Sequence, residues 1–366
     1  MPPASCWLWA GGATQPVMLR IQAGSRAGAT VLSNPLKRAS WLGVAMAKFK
    51  RWPQIATAIG ILLAGEAGLR MFSAPPAIDL YRMYRLHGAD GFAMLDQMGL
   101  SVALMQSCHR LLQLDDDLLW KGRPNLDMDA RSLSLAGDSA WRIQTNADGF
   151  RDRSASPSVT RVALGDSCTF GWGVDTNWTE ALEARTGLAV QNLALPGYSS
   201  VQGRRVFEQY KPPVVDVLFL NFGANDGHTV FQGDRSRIEQ RHTLIGRLRH
   251  ALAGLHLVQH ARGHLYRTWA KGTVLAWRSG AYGSRVTPEQ MALEYGAMAD
   301  QAERTVLLDI CARDEYSQVM REVAERDRRV DLVRYRDLGG ETVDGCHPTV
   351  AGHRALAEAV DAVLSR

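Results

Sequence analysis

Arg161-Val-Ala-Leu-Gly-Asp-Ser-Cys-Thr-Phe170 reads as a strand, a tight turn and the start of a helix. That arrangement leaves Ser167 at a helix N-terminus, where unpaired backbone N–H groups and the helix dipole favour a developing negative charge. Working outward, apolar runs at Val162–Leu164, Val190–Leu195 and Val215–Phe222 each end on a short polar or glycine motif. These are Gly165-Asp166-Ser167, Pro196-Gly197 and Gly223-Ala224-Asn225-Asp226. Open α/β sheets bind ligands outside the carboxyl ends of their strands, so the motifs are expected to converge. Further strands are predicted at Val306–Ile310 and Val330–Tyr335, and helices near Trp178–Arg185, Ser200–Tyr210, Pro288–Arg304 and Thr349–Leu364. This alternation predicts an α/β domain whose parallel sheet carries helices on both faces.

Of the 366 residues, 46% are hydrophobic and 22% charged, which permits a large core and excludes a disordered chain. The net charge of +5 comes without any zinc-finger, RNP or helix-turn-helix pattern, so nucleic acid is not the expected partner. An anionic membrane surface or an acidic polymer fits better. Five cysteines lack CxxC spacing and are too few for a disulfide scaffold.

Residues 1–45 show no period and read as a disordered or mis-assigned leader, with Met46 as the true start. Residues 46–75 carry Lys48, Lys50 and Arg51 before an apolar run that, counted from Trp52 to Ala74, is long enough to span a bilayer. A signal anchor is the first reading, with the remainder of the chain facing the periplasm or exterior. A cleaved signal peptide and a buried or amphipathic helix are the alternatives. Residues 76–160 form an N-terminal extension, helical from Tyr81 to Leu114 and β-like from Ser132 to Gln144. Its Asp115-Asp116-Asp117 run reads as a solvated turn rather than a metal site.

Acyl transfer through a serine needs a base, a group orienting that base, and donors for the oxyanion. Asp344 and His347 lie close enough for the carboxylate to hold Nδ1–H while Nε2 faces Ser167. Equally, Asp-x-x-His-Pro is the pattern of an N-cap on the last helix. Asn225 offers a side-chain amide, and Ser167 and Gly197 offer backbone N–H groups, to the oxyanion; each motif alone is also an ordinary turn. A second Gly137-Asp138-Ser139 runs into Trp141-Arg142-Ile143 and reads as a hairpin turn.

Taken together, the blocks resemble the SGNH (GDSL) hydrolase family, from Arg161 to the C-terminus. The resemblance implies a flavodoxin-like three-layer α/β/α sandwich with a five-stranded parallel sheet. It also implies Ser167 as nucleophile, an oxyanion hole of Ser167, Gly197 and Asn225, and a triad completed by Asp344 and His347. No cofactor or metal is implied. Thr169-Phe-Gly-Trp-Gly-Val174, Asp344-Gly-Cys-His-Pro-Thr349 and Asn146-Ala-Asp-Gly-Phe-Arg151 resemble bacterial envelope members with an N-terminal membrane segment. The expected reaction is hydrolysis of an O-acyl ester, especially acetyl, on a glycan. Transfer to a sugar hydroxyl, a lipid ester substrate and a non-catalytic glycan binder are the alternatives.

The 161–366 domain departs from a minimal member by an insertion at 229–286. That insertion is basic and amphipathic, fitting a lipid-facing surface, a lid or a solvated helix face. His256, His260 and His264 share helical spacing, but no carboxylate joins them as a zinc set. Cys168 and Cys346 flank Ser167 and His347; they read either as small buried residues or as a disulfide pair.

Overall fold

The computed structural model describes residues 52–72, 111–130, 141–152, 159–230, 233–253, 255, 257–258 and 283–366. A five-stranded, all-parallel sheet forms the centre, from β1 (Arg161–Gly165), β2 (Gln191–Asn192), β3 (Val217–Asn221), β4 (Arg304–Asp309) and β5 (Val330–Arg334). The spatial order is β2-β1-β3-β4-β5, the flavodoxin-like order whose switch point lies between β1 and β3.

Strand composition follows from burial on both sides. Val217-Leu-Phe-Leu-Asn221 is buried at every position, as parallel strands covered on both faces must be. Alternate side chains point to opposite faces, and the core divides accordingly. Val162, Leu164, Leu218, Leu220 and Leu307 pack into one cluster with Val206 and Phe207 of α3 (Ser200–Tyr210), Met291 and Tyr295 of α4 (Pro288–Ala299), and Tyr316 and Met320 of α5 (Asp314–Arg326). Ala163, Val217, Phe219, Val306 and Leu308 pack into the other with Trp178 and Leu182 of α2 (Trp178–Thr186) and Leu356 and Val360 of α6 (Val350–Leu364). These are the two outer layers of an α/β/α sandwich. Each fully buried Leu, Val or Phe in them is worth about 1.5–3 kcal/mol relative to exposure.

One helix goes beyond the sequence expectations, and two expectations need correction. Residues 314–326 form a helix that the reading of apolar runs left out, although Tyr316, Met320 and the partly buried Val319, Val323 and Ala324 recur at helical spacing between charged residues and pack on the core. The helix opening at Pro288 ends at Ala299, since β4 already begins at Arg304. Within the extension, Leu112–Asp115 is a strand paired with Leu119–Gly122, so the predicted helix does not reach Leu114. Asp115 closes the hairpin turn as a hydrogen-bond acceptor for the N–H groups of Asp117 and Leu118, and pairs with Lys121 at 3.0 Å. Arg142–Gln144 pairs with Asp127–Asp129, as the β-like reading required. Gly137-Asp138-Ser139, His256, His260 and His264 lie outside the described residues.

Trp52–Phe72 forms a 21-residue helix that exposes Ile55, Ile59, Leu62 and Leu63. Among the described residues, however, no helix is long and apolar enough to cross a membrane. Gly60, Gly65, Glu66, Gly68 and Arg70 dilute its apolar character, and Glu66 accepts a hydrogen bond from the Leu257 N–H. The spanning anchor expected from the sequence is therefore not supported.

Candidate active site

β1 delivers Ser167 through a turn that only glycine permits. A Cβ at Gly165 would lie 2.6 Å from Thr169 Oγ1 and 3.0 Å from the Asn221 carbonyl oxygen. Asp166 then caps α1 (Ser167–Phe170) by accepting from the Cys168 N–H at 2.9 Å. This helix is a single turn of four residues ending at Gly171, whose φ is +81°. With so short a helix, the negative charge expected to be favoured at Ser167 is met chiefly by the unpaired backbone N–H groups of its first turn rather than by a summed dipole.

The loop after β5 brings the base. His347 Nε2 lies 2.8 Å from Ser167 Oγ, and His347 Nδ1 lies 2.7 Å from Asp344 Oδ2. Asp344 Oδ1 also accepts from the N–H groups of Cys346 and His347 at 3.1 and 3.0 Å. Burial pushes the Asp344 carboxyl up, but its bonds and charge interaction with His347 and these two amides outweigh it and hold the group at about 2. A carboxylate accepts only, so Nδ1 carries the proton and Nε2 accepts from the Ser167 hydroxyl. The alternative reading of Asp344 as cap of the last helix is overturned, since Thr349 caps α6. Ser167 is 4% exposed and His347 1%, so water reaches the pair sparingly.

Asn225 follows β3, across the switch point from Ser167. Its Nδ2 donates to Asp166 Oδ2 at 3.0 Å, which fixes the carboxamide beside the residue preceding the nucleophile. One amide N–H is used by that bond and the second is left for another acceptor. Burial raises the Asp166 carboxyl to about 6, against the pull of the Cys168 amide, His347 and Asn225. Gly197 sits in the left-handed region at φ +79°, and the Leu195 N–H bonds to the Gly165 carbonyl at 3.2 Å, tying its loop to the end of β1. The structure thus joins Ser167, His347 and Asp344 by direct hydrogen bonds, Asn225 through Asp166, and the Gly197 loop through Gly165.

Several contributors escaped the sequence reading. Asp226 accepts from the N–H and hydroxyl of Ser200 and from the Gly223 N–H, pinning the turn before Asn225 to the start of α3. Arg151 donates to the carbonyls of Phe170, Gly171, Val174 and Asp175. It thereby holds the loop that sets the Trp172 ring 6.4 Å from the His347 ring. Nothing local in sequence marks either role, since both partners lie on other elements.

Of the two readings of Cys168 and Cys346, the small buried residue holds for Cys168, while Cys346 pairs with a different cysteine. Cys346 bonds to Cys311, with Cα atoms 5.2 Å apart, while Cys168 is a buried free thiol. Cys168 Sγ is 3.8 Å from Cys346 Sγ. Burial and the carboxylates Asp166 and Asp344 push the Cys168 thiol well above its ordinary value, so it is held as a neutral thiol beside Ser167. Cys168, Cys346 and His347 have donor atoms within 4.8 Å of one another, but Cys346 is consumed by the disulfide and is no free thiolate ligand. The bridge spans 35 residues and fastens the His347 turn to the end of β4. Cys311→Ala is expected to lower unfolding free energy by about 3–4 kcal/mol on chain-entropy grounds. Urea titration with and without reductant measures this, and a variant as stable as the oxidised wild type would contradict it.

Residues 163–355, more than half of the chain, match the model of the GDSL-like lipase/acylhydrolase family. No curated protein sequence matches the chain. Among solved structures, one similar chain is a member of the lipolytic G-D-S-L family from Veillonella parvula, 14% identical, with a TM-score of 0.33, covering 56% of this chain and 97% of that one. Another is an acetylxylan esterase from Geobacillus stearothermophilus, 15% identical, with a TM-score of 0.32, covering 56% and 92%. A third is a carbohydrate esterase family 2 enzyme from Corynascus, 12% identical, with a TM-score of 0.35, covering 58% and 68%.

Proposed function

We propose that Ser167, His347 and Asp344 carry the reaction of this chain, which belongs to the GDSL-like lipase/acylhydrolase family and is an ester-hydrolysing enzyme. The observation supporting this reading is the unbroken series of hydrogen bonds from Asp344 through His347 to Ser167. Ser167 Oγ attacks the ester carbonyl carbon as its proton passes to His347 Nε2. The resulting imidazolium is stabilised by Asp344, and the oxyanion is received by the N–H groups of Ser167 and Gly197 and the free N–H of Asn225. Collapse expels the alcohol with the proton from His347. Water then repeats the sequence on the acyl-enzyme, with His347 as base again, and releases the acid.

The substrate class we propose is an O-acetyl or other short O-acyl ester on a glycan. The scant exposure of Ser167 and His347 supports a short acyl group over a long chain. We further propose that the domain works outside the cytoplasm, a reading supported by the Cys311–Cys346 disulfide, since such bonds persist in oxidising compartments. Contact with a membrane surface is proposed on the exposed Leu244, Ile245 and Leu248 of the insertion helix Leu244–Ala253.

A fluorophosphonate probe tests the assignment. The wild-type protein is expected to label at one site and Ser167→Ala to label at none. Undiminished labelling of Ser167→Ala would remove Ser167 from the role.

A further inference from the structure

The Gly197 block is clasped from both sides by segments outside the sandwich proper. From the N-terminal extension, the indole Nε1 of Trp120 donates to the Pro196 carbonyl at 3.3 Å. In return, the Tyr198 hydroxyl donates to the Trp120 carbonyl at 2.7 Å. From the far end of the insertion, Arg285 donates through Nη1 to the Gly197 carbonyl at 2.6 Å and through Nη2 to Gln202 Oε1 at 2.6 Å. The Arg285 guanidinium lies 5.2 Å from the Trp120 ring centroid, and Gln202 Nε2 donates to the Leu118 carbonyl at 2.6 Å. Arg285 is anchored by Asp234, whose Oδ2 is 2.8 Å from Nε and also accepts from the Ser199 hydroxyl at 2.7 Å. Trp120, Tyr198, Gln202, Asp234 and Arg285 are all 1% exposed or less.

The geometry matters because a peptide group is a rigid plane. The Pro196 carbonyl and the Gly197 N–H belong to one plane and point in opposite directions, so fixing the carbonyl aims the N–H. Glycine at φ +79° is conformationally permissive and does not hold this aim by itself. Two carbonyls in succession are held by an indole N–H and a charge-assisted guanidinium bond. The Arg285 cation is itself placed by a buried ion pair and an aromatic face.

We infer that Trp120 and Arg285 are positioning residues that aim the Gly197 N–H at the oxyanion, so that the extension and the insertion preorganise the catalytic centre rather than merely decorating the domain. This inference rests on the oxyanion role proposed for Gly197. Neither residue touches the reacting atoms; both act through the Pro196–Tyr198 backbone. Small misplacements of such donors cost up to about 10²-fold in rate.

The test uses the full chain with Trp120→Phe, which keeps an aromatic ring and removes the N–H, and Arg285→Lys. Turnover of p-nitrophenyl acetate, the rate of fluorophosphonate labelling, and affinity for a boronic acid whose tetrahedral adduct places an oxygen in the same pocket are read together. Trp120→Phe is expected to lower kcat about 10-fold at unchanged KM, with labelling and boronate affinity falling in the same ratio and Tm held within a few degrees. Arg285→Lys is expected to fall further along the same line; if it does not fold, Trp120→Phe decides alone. Activity of Trp120→Phe within twofold of wild type overturns the inference, as does a raised KM with kcat intact. Ser167→Ala is the separate control: its retained turnover would sink the proposed nucleophile, whereas an inactive Ser167→Ala beside a fully active Trp120→Phe leaves the nucleophile standing and sinks the aiming of the Gly197 N–H by the clasp.

Discussion

Ser167→Ala is expected to lower kcat for p-nitrophenyl acetate by about 10⁴-fold or more, and His347→Ala by a similar factor. The doubly substituted protein should be no slower than either single variant. Ser167 Oγ and His347 Nε2 share one proton at 2.8 Å, so removing either partner already ends nucleophilic catalysis. What remains is binding and oxyanion donation, worth on the order of 10³–10⁴ over water in comparable hydrolases. Had the two side chains acted independently, their losses would multiply. Steady-state rates for the four proteins, normalised to folded protein, measure the coupling. Multiplied losses, or a Ser167→Ala variant keeping more than a few per cent of activity, would contradict the shared-proton mechanism.

The strand–turn–helix reading of Arg161–Phe170 was enough to anticipate the parallel sheet and the placement of Ser167, because a strand buried on both faces advertises itself as a continuous apolar run. Asn225 was legible for the same reason, standing after such a strand, whereas His347 was legible from its spacing to Asp344. The Asp344 ambiguity between cap and triad member needed coordinates, since both readings call for the same local turn; the cap proved to be Thr349. Helix Asp314–Arg326 is amphipathic rather than a continuous apolar run: Tyr316, Val319, Met320, Val323 and Ala324 recur at helical spacing among charged residues, a period that a search for apolar runs passes over. The pairing of Cys346 with Cys311 rather than Cys168 was equally hidden, as it depends on where two loops end, not on spacing. Arg151, Trp120 and Arg285 act on backbone carbonyls contributed by distant segments, and a carbonyl has no sequence signature. The anchor expected at 46–75 is not supported on a different point: a helix forms over Trp52–Phe72, but with its glycines, Glu66 and Arg70 no helix among the described residues is long and apolar enough to cross a membrane.

Asp344→Asn separates two jobs that one carboxylate performs. The substituted carboxamide keeps an oxygen to accept from the Cys346 and His347 amides, so the turn survives. Facing His347 Nδ1, however, its NH₂ donates instead of accepting. The imidazole then places its proton on Nε2, where it cannot take one from Ser167, and the imidazolium loses its counter-charge. A fall in kcat of about 10⁴-fold is expected, with KM little changed. Stability should respond on the acid side. The Asp344 carboxyl, at about 2 when folded against an ordinary value of 3.8, contributes stability that is present above about pH 3.8 and lost as pH falls through about 2. Asp344→Asn should therefore remove part of the acid destabilisation in that window. Asp166 and Asp226, both raised to about 6 chiefly by burial, run the other way: their contribution is present below about pH 3.8 and is lost as pH rises through about 6. Urea midpoints measured across pH 2–7 for wild type and Asp344→Asn read both limbs. The curves should converge in acid and keep the same slope between pH 4 and 6. An Asp344→Asn enzyme retaining near-wild-type kcat would mean that the carboxylate serves the turn alone, and that His347 is oriented by something else.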